Sequence, residues 1–142
     1  MAYGDSSCAR RASSSEPLFV GDHPLRILVV EDEALIAMDI ELMVEELGGQ
    51  SIGVVRTGAG AIAEAERLRP DVILMDIQLA DEIDGVQAAE RIRAKSGTPI
   101  VFVSANSDRD MQRRIAALDA SFVSKPVVGA YLCDAILRVC GR

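Results

Sequence analysis

Five short apolar runs in this sequence, at residues 27–30, 52–55, 72–75, 100–103 and 122–123, each end on residues that can do chemistry. The first is followed by Glu31, Asp32 and Glu33, the second by Arg56-Thr57-Gly58, and the third by Asp76. The fourth leads into Ser104, Ala105 and Asn106, and the fifth into Ser124, Lys125 and Pro126. If the runs lie side by side, carboxylates, a hydroxyl and a lysine converge on one edge. Convergent acids without a partner repel one another and resist ionising together. A divalent cation relieves that, and a small set of hard oxygen ligands with room for water suits Mg²⁺. A carboxylate beside Mg²⁺ is also a nucleophile toward phosphorus. Lys125 would then stabilise phosphoryl oxygens as a point charge, and Ser104 would donate to another. The chemistry described is phosphoryl transfer to an aspartate.

The segments between the runs must position these groups. Amphipathic stretches follow the five runs, near 34–47, 59–68, 86–94, 111–118 and 127–139. In the first, Leu35, Met38, Leu42 and Met43 fall near helical spacing, and Gly48-Gly49 stops it. The second closes before Pro70. Apolar runs without alternation indicate strands buried on both faces, which belong in parallel sheets covered by helices. Strand–helix alternation with right-handed crossovers predicts an α/β fold with a doubly wound five-stranded parallel sheet. In such sheets, ligands sit outside the carboxyl ends of the strands, where the groups above would gather. Residues 1–24 are richer in Ser, Ala and Arg and contain Pro17 and Pro24; they read as a flexible tail, leaving the domain at 25–142. Were the tail to dock, Leu18, Phe19 and Val20 would be its means.

Composition narrows the function. Fifteen basic and 22 acidic residues give a net charge of −7, which argues against nucleic-acid or anionic-membrane binding. No apolar run approaches the ~20 residues that span a bilayer, and the start has no secretory h-region. Cys8, Cys133 and Cys140 lack the spacing of a zinc site or disulfide framework, so a cytoplasmic location is expected. The single histidine, His23, falls in the tail, so no imidazole base serves the site.

Over residues 25–139 the chain resembles the receiver domain of bacterial two-component response regulators. ILVVEDE resembles the family's first strand and acidic pair, DVILMDIQL its third strand and phospho-acceptor, PIVFVSAN its fourth strand and hydroxyl, and FVSKP its fifth strand and Lys-Pro. Each piece alone is weak; four in register are specific. The resemblance implies a flavodoxin-like (βα)5 fold with strand order 2-1-3-4-5. It implies Asp76 as phospho-acceptor, with Mg²⁺ held by Asp32, by Asp76, by Glu31 through water and by the Gln78 backbone carbonyl. Lys125 would pair with the phosphoryl group, Ser104 and Phe122 would be the switch residues, and Lys125-Pro126 would be cis. Gln78 and Asn106 would tune dephosphorylation. It further implies a signalling domain rather than an enzyme, catalysing only its own phosphotransfer and slow autodephosphorylation. The phosphoryl donor would be a sensor histidine kinase or histidine phosphotransfer protein. The chain ends just after the fifth helix, so a stand-alone receiver is expected, signalling through an unidentified protein partner.

Two positions depart from the common pattern. Ala80 stands where many receivers have Pro, and the segment from Asp76 to Gly85 is one residue longer. That loop resembles an alphaproteobacterial subgroup fed by HWE-type histidine kinases.

Plainer readings exist for the same residues. Glu31, Asp32 and Glu33 suit a helix N-terminus, with Glu33 meeting the dipole. Asp76 and Lys125 could be turn residues, Ser104 a loop or cap residue, Asp84-Gly85 a turn and helix start, and Cys133 and Cys140 packing residues. Among rival functions, a phosphorylation-independent interaction module is the main alternative. A haloacid dehalogenase-type phosphatase would need a second acid where Gln78 stands. A flavodoxin-like cofactor binder would find its phosphate repelled by Glu31-Asp32-Glu33. Tyr131, Leu132, Ile136 and Val139 offer apolar surface for a homodimer through the fourth helix, fifth strand and fifth helix.

Overall fold

A computed structural model describes residues 17–141. Residues 1–16 and Arg142 lie outside the described residues, and Cys8 and most of the expected tail fall among them. The elements in chain order are β1 (Phe19–Val20), β2 (His23–Pro24), β3 (Arg26–Val30), α1 (Ala34–Glu46), β4 (Gln50–Val55) and α2 (Gly58–Leu68). They continue with β5 (Val72–Met75), α3 (Gly85–Ser96), β6 (Ile100–Ser104), α4 (Arg109–Ala117), β7 (Ser121–Ser124) and α5 (Gly129–Val139). Five strands form a parallel sheet in the order β4-β3-β5-β6-β7, which is the expected 2-1-3-4-5 arrangement.

The apolar runs explain the layers. Two clusters of buried side chains cover the two faces of the sheet. Alternate residues of one strand serve opposite clusters: Ile27 and Val29 pack with α1 and α5, while Leu28 and Val30 pack with α2 and α3. Each fully buried aliphatic side chain contributes about 1.5–3 kcal/mol. Burial on both faces holds for β5 and β6 throughout and for all of β3 but Arg26. It does not hold at the sheet edges, where β4 and β7 are partly exposed because no further strand covers them.

Punctuation falls where local chemistry demands it. Past α1, Gly48 takes φ 93°. Gly97 caps α3 in the left-handed region at φ 68°. Arg69 does the same for α2 at φ 48°, a strained choice for a residue with a Cβ, where Pro70 prevents the helix from continuing.

Three expectations need correction. Residues 18–24 are not a flexible tail: β1 and β2 form an antiparallel hairpin, and Leu18 is fully buried, its N–H donating to Leu47 O at 3.0 Å. An apolar side chain at the open end of the α1 face gains more from burial than the tail's polar composition costs. On α1, the stripe marked by spacing mostly faces solvent. Leu35, Met38 and Leu42 are 80, 57 and 61% exposed, while Ala37, Ile40 and Val44 face the core. On α5, Leu132 and Ile136 are spent on the core, leaving Tyr131 exposed with Val128 before the helix, so the apolar surface for a homodimer is much smaller than the sequence suggested. Among the described residues no helix is long and apolar enough to cross a membrane.

Candidate functional site

The carboxyl ends of β3, β5, β6 and β7 open into a cleft of about 560 Å³ lined by Asp32, Asp76, Gln78, Ser104 and Lys125, among others. Parallel pairing sets the register: Val30 lies opposite Met75 and Ser104 opposite Ser124, so the residues that follow emerge at one level. Glu31 lies beneath, only 1% exposed.

One carboxylate oxygen from each of Glu31, Asp32 and Asp76 lies within 4.8 Å of the others, close enough to hold one metal ion. Lys125 Nζ stands 2.8 Å from Glu31 Oε1 and 3.2 Å from Asp76 Oδ2. The second contact is a hydrogen bond, and the first is a close ion pair that sets the ammonium against the buried Glu31 Oε1. Glu31 Oε2 accepts from Glu33 N at 3.1 Å, and Asp76 Oδ1 accepts from Gln78 N at 3.3 Å. Glu31 and Asp76 thus share one ammonium, with Asp32 beside them. Burial, and then the charge of Glu31, push the Asp76 carboxyl up to about 6 against the pull of Lys125. Burial works against the Lys125 ammonium, but its two acidic partners outweigh it and hold Lys125 above its usual value. This donor set, all oxygen and net anionic, fits a hard divalent cation.

The remaining residues divide. Ser104 is buried, and its hydroxyl donates to the Asn106 carbonyl at 3.2 Å while lining the cleft with Asp76. The Gln78 side chain is exposed at the rim. Asn106 and Phe122 do not line the cleft; Phe122 is half-buried against the α2–α3 side of the core and borders a separate hollow with Tyr131. The Lys125-Pro126 peptide is cis. Glu33 occupies the N-cap of α1 but makes no side-chain capping bond. Asp84 caps α3 in a reciprocal box with Gln87, and Cys133 and Cys140 pack against the core.

Sequence reasoning missed Ile36, Asp39 and Val127, which wall the cleft from α1 and the loop before α5. It also missed Asp81, whose carboxylate binds the N-terminus of α2. Helical spacing from Asp32 could have pointed to Ile36 and Asp39; no local signal points to Asp81, whose partners lie more than twenty residues away.

Residues 27–137 match the family model for the response regulator receiver domain, and the chain belongs to that family of two-component signalling domains. It is 38% identical over 114 residues to the transcriptional regulatory protein PdtaR of Mycobacterium tuberculosis, covering 80% of this chain and 55% of that protein. It is 45% identical over 89 residues to the phyllosphere-induced regulator PhyR of Methylorubrum extorquens, covering 62% of this chain and 33% of that one. The chain therefore spans between a third and about half of these curated relatives. The signal receiver domain of a modulated diguanylate cyclase from Desulfovibrio desulfuricans superposes with a TM-score of 0.76 at 32% identity, over 82% of this chain and 94% of that one.

Proposed function

We propose that this receiver takes a phosphoryl group onto Asp76 from the phosphohistidine of a sensor histidine kinase or histidine phosphotransfer protein, and passes the signal on by protein contact. The observation that carries the reading is the Lys125 bridge between Glu31 and Asp76 at the floor of an open cleft. A carboxylate oxygen of Asp76 attacks phosphorus. The P–N bond to the donor imidazole breaks, and its electron pair returns to the ring nitrogen. Lys125 is already within 3.2 Å of Asp76 Oδ2 and meets the negative charge on the phosphoryl oxygens. Mg²⁺, held by Asp32, Asp76, the Gln78 carbonyl and Glu31 through water, would neutralise more of that charge. The Ser104 hydroxyl can exchange its Asn106 carbonyl for a phosphoryl oxygen, and that exchange would be the start of a switch toward Phe122 and the α4–β7–α5 face. Leu35, Met38 and Leu42 are exposed on α1, the helix whose Ile36 and Asp39 wall the cleft, and such an apolar surface favours a protein donor over a small one.

Intact-protein mass after incubation with acetyl phosphate and Mg²⁺ tests this. One added phosphoryl group is expected, absent in Asp76→Asn and absent when Mg²⁺ is chelated. No uptake from acetyl phosphate or from any phosphorylated histidine protein, together with partner binding that ignores Asp76→Asn, would make the chain a phosphorylation-independent interaction module.

A further inference from the structure

The loop that carries the acceptor is tied to a helix outside its own β–α unit. Asp81 Oδ1 accepts from Gly58 N at 3.0 Å, and Oδ2 accepts from Ala59 N at 3.1 Å. Thr57 Oγ1 takes the next N–H, that of Gly60, at 2.9 Å. The first turn of α2 is therefore satisfied, two of its donors by the loop between β5 and α3. The approach is close: a Cβ on Gly58 would lie 2.5 Å from Ile83 O. The far end of the loop is equally tight, since Gly85 N donates to Ile77 O at 2.7 Å and a Cβ on Gly85 would lie 1.9 Å from Asp76 O. Between these anchors run Gln78 and Leu79, both on the cleft wall. Two backbone N–H groups keep the Asp81 carboxyl below its usual range, so the grip stays charged at neutral pH.

We propose that Asp81 is a positioning residue of the phosphotransfer site, pinning the acceptor loop to α2 so that Gln78 stays in place beside Asp76. The proposal rests on the phosphotransfer reading above. Gly85 packs on the Asp76 backbone independently of Asp81. Releasing Asp81 therefore leaves the acceptor in place and loosens its neighbours, so metal affinity is the sensitive quantity.

The test is titration of Mg²⁺ into the unphosphorylated chain, followed by amide NMR shifts, for wild type, Asp76→Asn, Asp81→Ala, Asp81→Asn and Thr57→Ala. Asp81→Ala should weaken Mg²⁺ about tenfold, the usual loss for a supporting partner of a metal ligand. Asp81→Asn keeps one acceptor oxygen and should fall between. Thr57→Ala removes a cap from the same helix end without touching the loop and should bind as wild type does. Affinity unchanged in both Asp81 variants, or lowered equally in Thr57→Ala, overturns the proposal. If Asp81→Ala does not fold, Asp81→Asn decides alone. Wild type that binds no Mg²⁺ removes the phosphotransfer reading and Asp81's role with it, whereas binding by wild type and Asp81→Ala alike removes only the latter.

Discussion

The two ends of the central sheet treat charge in opposite ways. Where the strands begin, Arg26 N donates to Asp71 Oδ2 at 2.8 Å, and the Arg26 guanidinium reaches the Arg69 and Leu68 carbonyls at 2.8 and 2.9 Å. There, a cation meets the C-terminal carbonyls of α2, and a backbone donor meets a carboxylate. Where the strands end, Glu31 and Asp76 share one ammonium with Asp32 close by, and Asp76 is held near 6. The groove at the first end is the larger, about 700 Å³, yet it lacks the convergent acids of the second. Cavity size therefore does not mark the site; convergent acids and a raised carboxyl do. One end pairs its charges with opposite partners, and the other holds like charges together.

That contrast can be broken in several ways. The largest effect is expected for Lys125→Ala, which should slow phosphoryl uptake from acetyl phosphate roughly 100-fold, the usual cost of losing a transition-state charge partner. Uptake kinetics followed by intact mass would show it, and an unchanged rate would separate Lys125 from the chemistry.

Stability should respond with opposite sign at the two ends. Asp71→Ala strands Arg26 N and should cost about 1–3 kcal/mol. Asp76→Asn should instead stabilise the metal-free protein at pH 7 by roughly 1–3 kcal/mol, from a carboxyl raised from 3.8 to about 6. Denaturant melts of both variants give the comparison, and loss of stability in Asp76→Asn would contradict the strained-site picture.

The sign of the pH effect follows from the same shift. Between 3.8 and about 6 the folded chain holds a proton on Asp76 that the unfolded chain has released. Stability therefore falls as pH rises through that window and then levels. The Asn variant lacks this contribution, so the gap between the two melting curves should open across the window and close below it. Added Mg²⁺ should reverse the order at pH 7 by stabilising wild type alone.

The smallest stability effect is expected on α1. Leu35→Ser combined with Leu42→Ser should change stability by no more than about 0.5 kcal/mol per position, since both side chains are exposed. The pair should slow uptake from a phosphorylated histidine protein while leaving uptake from acetyl phosphate unchanged. Equal slowing of both would mean that α1 shapes the cleft rather than receives the donor.

Much of this was legible in the amino-acid order. Apolar runs of the length seen in β3, β5 and β6, separated by amphipathic stretches, imply a covered parallel sheet, because burial on both faces leaves no polar position. The pattern also located Glu31, Asp32, Asp76, Ser104 and Lys125, because parallel strands deliver whatever follows each run to the same edge. These are properties of local periodicity, which the chain carries in itself.

Tertiary packing decided the rest. Whether Leu18 is tail or core depends on the opening beside Leu47, and whether Leu35 or Ile40 faces inward depends on how α1 sits on β3 and β4. Helical spacing permits either α1 face, and only contact with the sheet chooses. The Asp81 grip on Gly58 and Ala59 joins residues far apart in the chain, where no local preference acts. The raised Asp76 carboxyl has the same origin, because burial and the charge of Glu31 exist only once the strands have paired.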